Sequence, residues 1–284
     1  LSPSLILGED DMGPPLVLDQ LALVGVDIRI IPEKFSIEGI LSKVACVTQI
    51  LGTNLNARKK LETKINKHVS DLKNLRDKGA LVHCITNYVA MNINANILLS
   101  IGASPLMSHA TNELKEIAAI SSCLVNNIGT LDDNWRPSFL EASKYYVEQE
   151  KPIILDPVGS GASKLRTQTS LDIIKSSKNL IIRGNASEIQ SLVDQNKISS
   201  KGVDSSIESH AAIESGKILS NENNCVVFIS GSDDFIIYED NVTKISNGSS
   251  VMTKVTAIGC SLSCIVGAFA AVGESLHKSA ISSA

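Results

Sequence analysis

The sequence predicts an α/β fold with a central, mainly parallel sheet, and two patterns support this prediction. From residue 80 onward, short apolar, β-branched runs alternate with longer segments of helical period. Each apolar run ends in a polar or glycine-rich turn, which is typical of βαβ units. Five strands are predicted, at residues 81–86, 123–128, 152–156, 179–184 and 225–230.

The chain before residue 80 follows a different pattern. Residues 4–52 alternate between strand-like and helix-like segments, so we expect an N-terminal βαβα extension over residues 1–67 and a main domain over residues 68–284. Residues 57–79 predict one amphipathic helix, which ends at Gly79. Its apolar residues recur every three or four positions, at Leu61, Ile65, Val69, Leu72 and Leu75.

The segment after the fifth strand predicts antiparallel pairing at one edge of the sheet. Residues 234–255 are rich in β-branched residues and contain two turn signals, Glu239-Asp240 and Asn247-Gly248. We expect a hairpin at each of them. The motif VTAIGC, residues 255–260, then opens an apolar helix of small residues.

Composition excludes several classes of function. A net charge of −4 and an aromatic content of 4% argue against nucleic acid as a partner. The longest apolar stretch is about half of the roughly 20 residues that span a bilayer, so we expect no membrane segment. Nor does the sequence begin with the basic and apolar pattern of a signal peptide. The six cysteines are scattered without a C-x-x-C pair, which argues against disulfides and structural zinc and suits the cytoplasm.

Charged residues follow two of the predicted strands. Asp156 opens the turn DPVGSGAS, Arg183 lies at the end of the next strand, and Glu188 lies in the first turn of the helix after it. Ligands of open α/β sheets lie beyond the carboxyl ends of the strands, so we expect Asp156 and Glu188 to hold a hydrated Mg²⁺ and Arg183 to meet a phosphate. A structural alternative is a capping box between Asn185 and Glu188, and both roles can coexist.

Cys260 stands at the start of the last apolar helix. The backbone N–H groups of residues 257–260 would form a pocket for negative charge, and the same field is expected to lower the pKa of the Cys260 thiol. The alternative is that Cys260 is a small apolar packing residue. The order of these features along the chain indicates a kinase for a small molecule.

Several longer motifs resemble one enzyme family in their order and spacing. They are LVHCITNYVAMNINANILLSIGASPLMSHA, LVNNIGTL, PIILDPVGSGASKLR, LIIRGNASEI and KVTAIGCSLS. From about residue 70 to residue 284 the chain resembles the hydroxyethylthiazole kinases of the ribokinase-like superfamily. The resemblance implies a three-layer ribokinase-like fold and ATP-dependent, Mg²⁺-dependent phosphorylation of 4-methyl-5-(2-hydroxyethyl)thiazole in thiamine salvage. It also implies a homotrimer whose thiazole sites lie between subunits.

The same resemblance implies roles for individual residues. Cys260 takes the place of the aspartate base of ribokinase relatives, either as a base or as a group that positions the hydroxyl. The other implied roles are substrate binding by Met107, Asn87, Val89 and Gly259, ATP binding by Arg183, Ser230 and Thr256, and metal binding by Asp156 and Glu188. Asn127, Gly129 and Thr130 lie at a strand end and are either site residues or turn formers.

Departures from the family pattern leave alternatives open. Ala257 and Ile258 stand where the family has glycine and a small residue, and Ser230-Gly231-Ser232 stands where it has Thr-Gly-Glu. The chain ends at Ala284, where family members continue with further helices, so we expect a fold truncated at its C-terminus. The chain could be a truncated or fused remnant with impaired catalysis, or a related kinase for another small alcohol. Residues 4–52 resemble a lobe of periplasmic haem- or siderophore-binding proteins, which leaves a haem- or chelate-binding module as a further alternative.

Overall fold

A computed structural model describes residues 68–194 and 209–284 of the chain. Residues 1–67 lie outside the described residues. For these residues the sequence predicts a βαβα extension that resembles a periplasmic binding-protein lobe. The amphipathic helix predicted before Gly79 is described from residue 68, and it ends where the sequence predicts. Gly79 has a left-handed backbone, with a φ of 57°, and its N–H donates to the Leu75 carbonyl.

The described residues form one central sheet of eight strands. Its spatial order is β2-β1-β3-β4-β5-β6-β7-β8. The first six strands in this order pair in parallel, and β7 and β8 extend one edge of the sheet by antiparallel pairing. The predicted mainly parallel sheet is confirmed. The strands are β1 Leu81–Ile85, β2 Ser104–Met107, β3 Cys123–Asn127, β4 Ile153–Asp156, β5 Leu180–Asn185, β6 Val226–Ser230, β7 Asp234–Tyr238 and β8 Asn241–Ile245.

The five predicted strands are confirmed as β1, β3, β4, β5 and β6, and two details differ from prediction. Strand β2 was not predicted, because it is only four residues long, contains a proline and lies at the sheet edge. The turn at Glu239-Asp240 does join β7 to β8. The predicted hairpin at Asn247-Gly248 is wrong, since no strand is assigned in the described chain after Ile245 and these residues belong to a connecting loop.

Helices cover both faces of the sheet. The first, α1, is described over residues 68–78. The others are α2 Met91–Ile101, α3 Leu114–Ile120, α4 Trp135–Glu148, α5 Lys164–Ser176, α6 Ala186–Val193, α7 Ser209–Asn223, α8 Ile258–Val272 and α9 Leu276–Ser283, with a short 3₁₀ turn at Met252–Lys254. Within the described ranges, no helix combines the length and apolarity needed to cross a membrane.

Two apolar clusters on opposite faces of the sheet make the fold three-layered. Successive strand residues point to opposite faces, so Leu124 of β3 joins one cluster and Val125 joins the other. Helix α4 contributes Phe139 to the first cluster, and helix α8 contributes Phe269 to the second. Helix α8, which is long and rich in small residues, therefore packs on β1, β3 and β4, with its N-terminus at the edge where the parallel strands end.

Candidate active site

The carboxyl ends of five parallel strands meet the N-terminus of α8 at one edge of the sheet. Asn87 follows β1, Asn127 ends β3, Asp156 ends β4, Arg183 lies in β5 and Ser230 ends β6. All but Ser230 are buried or nearly so. The parallel topology thus gathers polar side chains that are far apart in the sequence, as open α/β sheets do at their ligand sites.

A chain of hydrogen bonds links the thiol of Cys260 to the carboxylate of Asp156. The Nδ2 atom of Asn87 donates to the sulfur of Cys260 at 3.3 Å and to Oδ1 of Asn127 at 2.8 Å. In turn, Nδ2 of Asn127 donates to Oδ2 of Asp156 at 2.7 Å. Ser263, one turn beyond Cys260 on α8, donates to the same carboxylate oxygen at 2.7 Å.

Cys260 is half-buried in the first turn of α8, and its pKa does not move as predicted. Burial raises the pKa of the thiol, and the negative charge of Asp156 raises it further. Hydrogen bonds from Asn87 and Asn127 and the charge of Arg183 oppose this rise without reversing it. The predicted lowering of the pKa is therefore wrong, because loss of water and a nearby carboxylate outweigh the favourable donors.

Asp156 is 1% exposed, and burial raises the pKa of its carboxyl group. The guanidinium of Arg183, the hydroxyl of Ser263 and the amide of Asn127 lower that pKa in part. Every contact that the structure gives this carboxylate with described residues is made by Oδ2. The Oδ1 atom is therefore the oxygen left for a ligand.

Arg183 is held between the acidic group and the end of β6. Its NH1 atom lies 3.7 Å from Oδ2 of Asp156, and its NH2 atom donates to the hydroxyl of Ser230 at 2.5 Å. The guanidinium also lies against Gly259, where a Cβ atom would come within 2.8 Å of NH1. Its buried Nε has no hydrogen-bond partner among the described residues. A buried N–H group without a partner is costly, so Arg183 is suited to receive an anionic ligand.

Glu188 makes the predicted capping box, which is confirmed. The side chain of Asn185 accepts from the Glu188 N–H, and Oε2 of Glu188 accepts from the Asn185 N–H at 2.9 Å. The other oxygen, Oε1, accepts from the Gly159 N–H at 2.9 Å. Burial and the charge of Asp156 raise the pKa of Glu188 to about 7, although the two backbone donors and Arg183 oppose this rise.

The N-terminus of α8 offers free backbone donors beside these residues. Its first internal bond runs from the Ser261 N–H to the Ala257 carbonyl, and no side chain among the described residues caps the helix. The preceding N–H groups can therefore face an anion. Ala257 has a φ of 61°, a left-handed conformation that favours glycine, and Ile258 is 39% exposed.

Three of the predicted site residues lie apart from the hydrogen-bonded group. Met107 ends β2 opposite Cys84 and packs on the apolar cluster beneath α8. Val89 is 61% exposed, and Thr256 is exposed in the loop before α8. Ser263 is a residue that the sequence did not indicate as functional. Its only signal was a polar residue in an apolar helix, three positions after Cys260, where side chains share one face.

Comparison with solved structures places the fold among ribokinase-like proteins. A ribokinase-like superfamily protein from Enterococcus faecalis superposes with a TM-score of 0.51 at 11% identity, covering 75% of this chain and 77% of that chain, which establishes the fold alone. This ribokinase-like fold brings a buried carboxylate, an arginine and the uncapped start of α8 to one edge of its sheet. The family model described as "Hydroxyethylthiazole kinase family" matches residues 72–284. The chain belongs to the hydroxyethylthiazole kinase family.

Individual relatives agree with this assignment. A hydroxyethylthiazole kinase from Psychromonas ingrahamii is 48% identical over 217 residues, which cover 76% of this chain and 81% of the relative. One from Leptospira biflexa is 47% identical over 214 residues, or 75% of this chain and 80% of the relative. The solved hydroxyethylthiazole kinase protein of Pyrococcus horikoshii superposes with a TM-score of 0.69 at 36% identity, covering 76% of this chain and 81% of that chain.

Proposed function

We propose that this chain transfers the terminal phosphoryl group of ATP to the primary hydroxyl of hydroxyethylthiazole, as the names of its relatives indicate for them. One observation carries the proposal most directly. The Cys260 sulfur and the Asp156 carboxylate belong to one hydrogen-bonded chain through Asn87 and Asn127, next to Arg183. A thiol that can meet an alcohol and groups that can meet phosphates therefore share one site.

The raised pKa of Cys260 favours one of the two roles that the family resemblance leaves open. At neutral pH the thiol is mainly protonated, so it orients the substrate hydroxyl rather than accepting its proton. Phosphoryl transfer depends largely on positioning and charge stabilisation. A thiol that only orients the substrate hydroxyl is therefore sufficient to assist phosphoryl transfer to it.

Arg183 and the start of α8 are our candidates for the phosphate contacts of ATP. The unpartnered Nε of Arg183 and the free N–H groups before Ser261 supply donors, including that of Gly259. We assign Ser230 a supporting role, because its hydroxyl accepts from Arg183. Thr256, exposed in the loop before α8, is proposed on family resemblance to contact the nucleotide.

Asp156 and Glu188 suit a Mg²⁺ ion held mainly by waters and phosphates. Mg²⁺ usually takes one or two protein carboxylates together with substrate oxygens. Oδ1 of Asp156 is available for direct contact, whereas both oxygens of Glu188 already accept backbone N–H bonds, which suits contact through water. When bound, the ion would neutralise negative charge on the transferred phosphoryl group.

The thiazole side of the site rests on Asn87, Val89, Met107 and Gly259. We propose a homotrimer in which these residues meet the thiazole between subunits. The exposure of Tyr88 and Val89, 62% and 61%, directly after the buried Asn87 supports this arrangement, because a second copy of the chain could cover both side chains. Light scattering of the purified chain, with and without hydroxyethylthiazole, tests the trimer.

The experiment for the activity is phosphorylation of hydroxyethylthiazole with ATP and Mg²⁺, followed by mass spectrometry of the product. We expect Cys260→Ala to slow turnover by up to about 10²-fold while the protein stays folded, because the substrate hydroxyl loses the group that orients it. Cys225→Ala is the matched control, since Cys225 is buried just before β6 and its thiol donates to the Leu219 carbonyl. A folded wild-type sample that does not turn over would favour the impaired remnant, and preference for another alcohol would favour a related kinase.

Two further proposals concern the chain beyond the site. We propose a cytoplasmic location, supported by the free thiols of the five described cysteines.

The resemblance of residues 4–52 to a periplasmic binding-protein lobe stays a prediction, since the family match begins at residue 72. Titration with haemin tests it, and an unchanged haem absorption band would dismiss it.

A further inference from the structure

The orientation of the Asn127 side chain is fixed by a backbone donor. Its Oδ1 atom accepts from the Gly129 N–H at 3.0 Å, and a backbone N–H can only donate. The amide oxygen therefore faces Gly129 and Asn87, and the amide nitrogen must face Asp156. This buried side chain, 1% exposed, has one orientation that satisfies all three neighbours.

The amide of Asn87 is oriented by the same reasoning. Its Oδ1 atom accepts from the Ala90 N–H at 3.0 Å, so its Nδ2 atom must face Asn127 and the sulfur of Cys260. Gly129 closes the remaining space, because a Cβ atom there would lie 2.5 Å from Nδ2 of Asn87. The Asn87 amide is thus held at its oxygen by Ala90 and at its nitrogen by Asn127, and the glycine at residue 129 leaves space for it.

Asp156 has a second donor that does not take part in this arrangement. The hydroxyl of Ser263 donates to Oδ2 at 2.7 Å, the same distance as the Asn127 amide. Ser263 is also buried, at 0% exposure, but its hydroxyl contacts neither Asn87 nor Cys260 among the hydrogen bonds of the described residues. The chain therefore offers two buried donors to one carboxylate, of which one alone also orients Asn87.

We infer that Asn127 is a positioning residue. It holds the Asn87 amide against the Cys260 sulfur and at the same time anchors the Asp156 carboxylate, so the thiol and the carboxylate stay at a fixed distance from each other. This inference rests on the proposed function for its catalytic meaning. Its structural part, the orientation of Asn87 toward the thiol, can be tested without substrate.

The test compares Asn127→Ala with Ser263→Ala, using iodoacetamide to alkylate Cys260 and mass spectrometry to follow the peptide that carries it. Loss of Asn127 removes the acceptor of one Asn87 N–H, so the amide can tilt about its remaining Ala90 contact and weaken its hydrogen bond to the sulfur. Asn127 also lowers the pKa of the thiol itself, and Gly129→Ala, which keeps Asn127, separates the two effects. We expect the Cys260 alkylation rate at pH 8 to fall by about 3-fold to 10-fold in Asn127→Ala and to change less than about 2-fold in Ser263→Ala. Recording the rate from pH 7 to 10 separates a change in the thiol pKa, which shifts the curve along the pH axis, from a change in access, which scales the rate by one factor at every pH.

Gly129→Ala is an independent variant, because its new Cβ displaces the Asn87 amide while Asn127 keeps its bond to Asp156. It should slow Cys260 alkylation as Asn127→Ala does. It therefore tests the inference even if Asn127→Ala does not fold, which circular dichroism would show.

Substrate binding provides the second readout. Calorimetry with hydroxyethylthiazole should show weaker binding to Asn127→Ala and Gly129→Ala and unchanged binding to Ser263→Ala, whose defect should appear in kcat alone. Equal effects of Asn127→Ala and Ser263→Ala on alkylation, or no effect of either, would overturn the inference. If the wild-type chain neither binds nor phosphorylates the thiazole, the proposed function fails, and the alkylation profiles still decide the role of Asn127.

Discussion

Gly259 lies against the guanidinium of Arg183 with no space for a methyl group between them. A Cβ at this position would come within 2.8 Å of NH1 and 3.2 Å of NH2, whereas ordinary contacts begin at 3.4 Å. The guanidinium must therefore retreat by roughly 0.6 Å or more in Gly259→Ala, and displacements near 1 Å in a catalytic site cost up to about 10²-fold in rate. We expect kcat/KM for ATP to fall by about 10-fold to 100-fold.

The fold itself should tolerate Gly259→Ala. Gly259 does not have a positive φ, so its backbone accepts alanine. The displaced arginine side chain costs about 0.5–1.5 kcal/mol, and alanine in a helix gains up to about 1 kcal/mol over glycine. The free energy of unfolding should therefore change by less than about 1 kcal/mol, as measured by urea unfolding.

Gly267, eight residues along the same helix, provides the matched control. A Cβ there would lie 2.7 Å from Cγ2 of Val125 and 3.4 Å from the sulfur of Cys123, both inside the core. Such overpacking costs about 1–3 kcal/mol, so Gly267→Ala should be less stable yet retain kcat/KM where it is folded. Full activity of Gly259→Ala, or a loss of activity in Gly267→Ala that matches it at a temperature where both are folded, would refute the reasoning.

The remaining predictions concern stability. His83 is buried, and its Nε2 must donate to the Ser108 carbonyl while Nδ1 accepts from the Tyr146 hydroxyl, which fixes the neutral tautomer. Burial lowers the pKa of His83 to about 4, so the unfolded chain binds more protons below pH ~6.5. Stability should therefore fall by up to about 3 kcal/mol as the pH drops from 6.5 to 4, and His83→Gln should weaken this dependence in urea unfolding. Because Ala257 has a left-handed backbone, Ala257→Gly should raise the melting temperature slightly, by a gain of up to about 1 kcal/mol, and a lower melting temperature would contradict this.

The strands of this fold were predictable because parallel strands are buried on both faces. Such strands must be almost continuously apolar, and the segments that became β1, β3, β4, β5 and β6 have this pattern. Strand β2 has an exposed first residue and a proline at the sheet edge, so its pattern is weak. Asn247-Gly248 shows the opposite error, because a dipeptide can have turn chemistry without a partner strand to follow it.

Site chemistry was predictable to the level of residue types and strand ends. Asp156, Arg183 and Glu188 were expected together because each lies at or just beyond the end of a predicted strand. The pKa of Cys260 was not predictable in the same way. The sequence indicates a helix start that favours a thiolate, but the burial of the sulfur and the nearness of Asp156 depend on packing.

By itself, the sequence determined the five strands β1, β3, β4, β5 and β6, the family, and the acidic, basic and thiol groups of the site, because these follow from local pattern and motif. Only the tertiary structure decided which side chains touch. Asn87 and Cys260 are 173 residues apart in the chain, and Ser263 and Asp156 are 107 apart. Their hydrogen bonds exist because parallel pairing brings distant strand ends together beneath the start of α8. No local pattern in the sequence predicts these contacts.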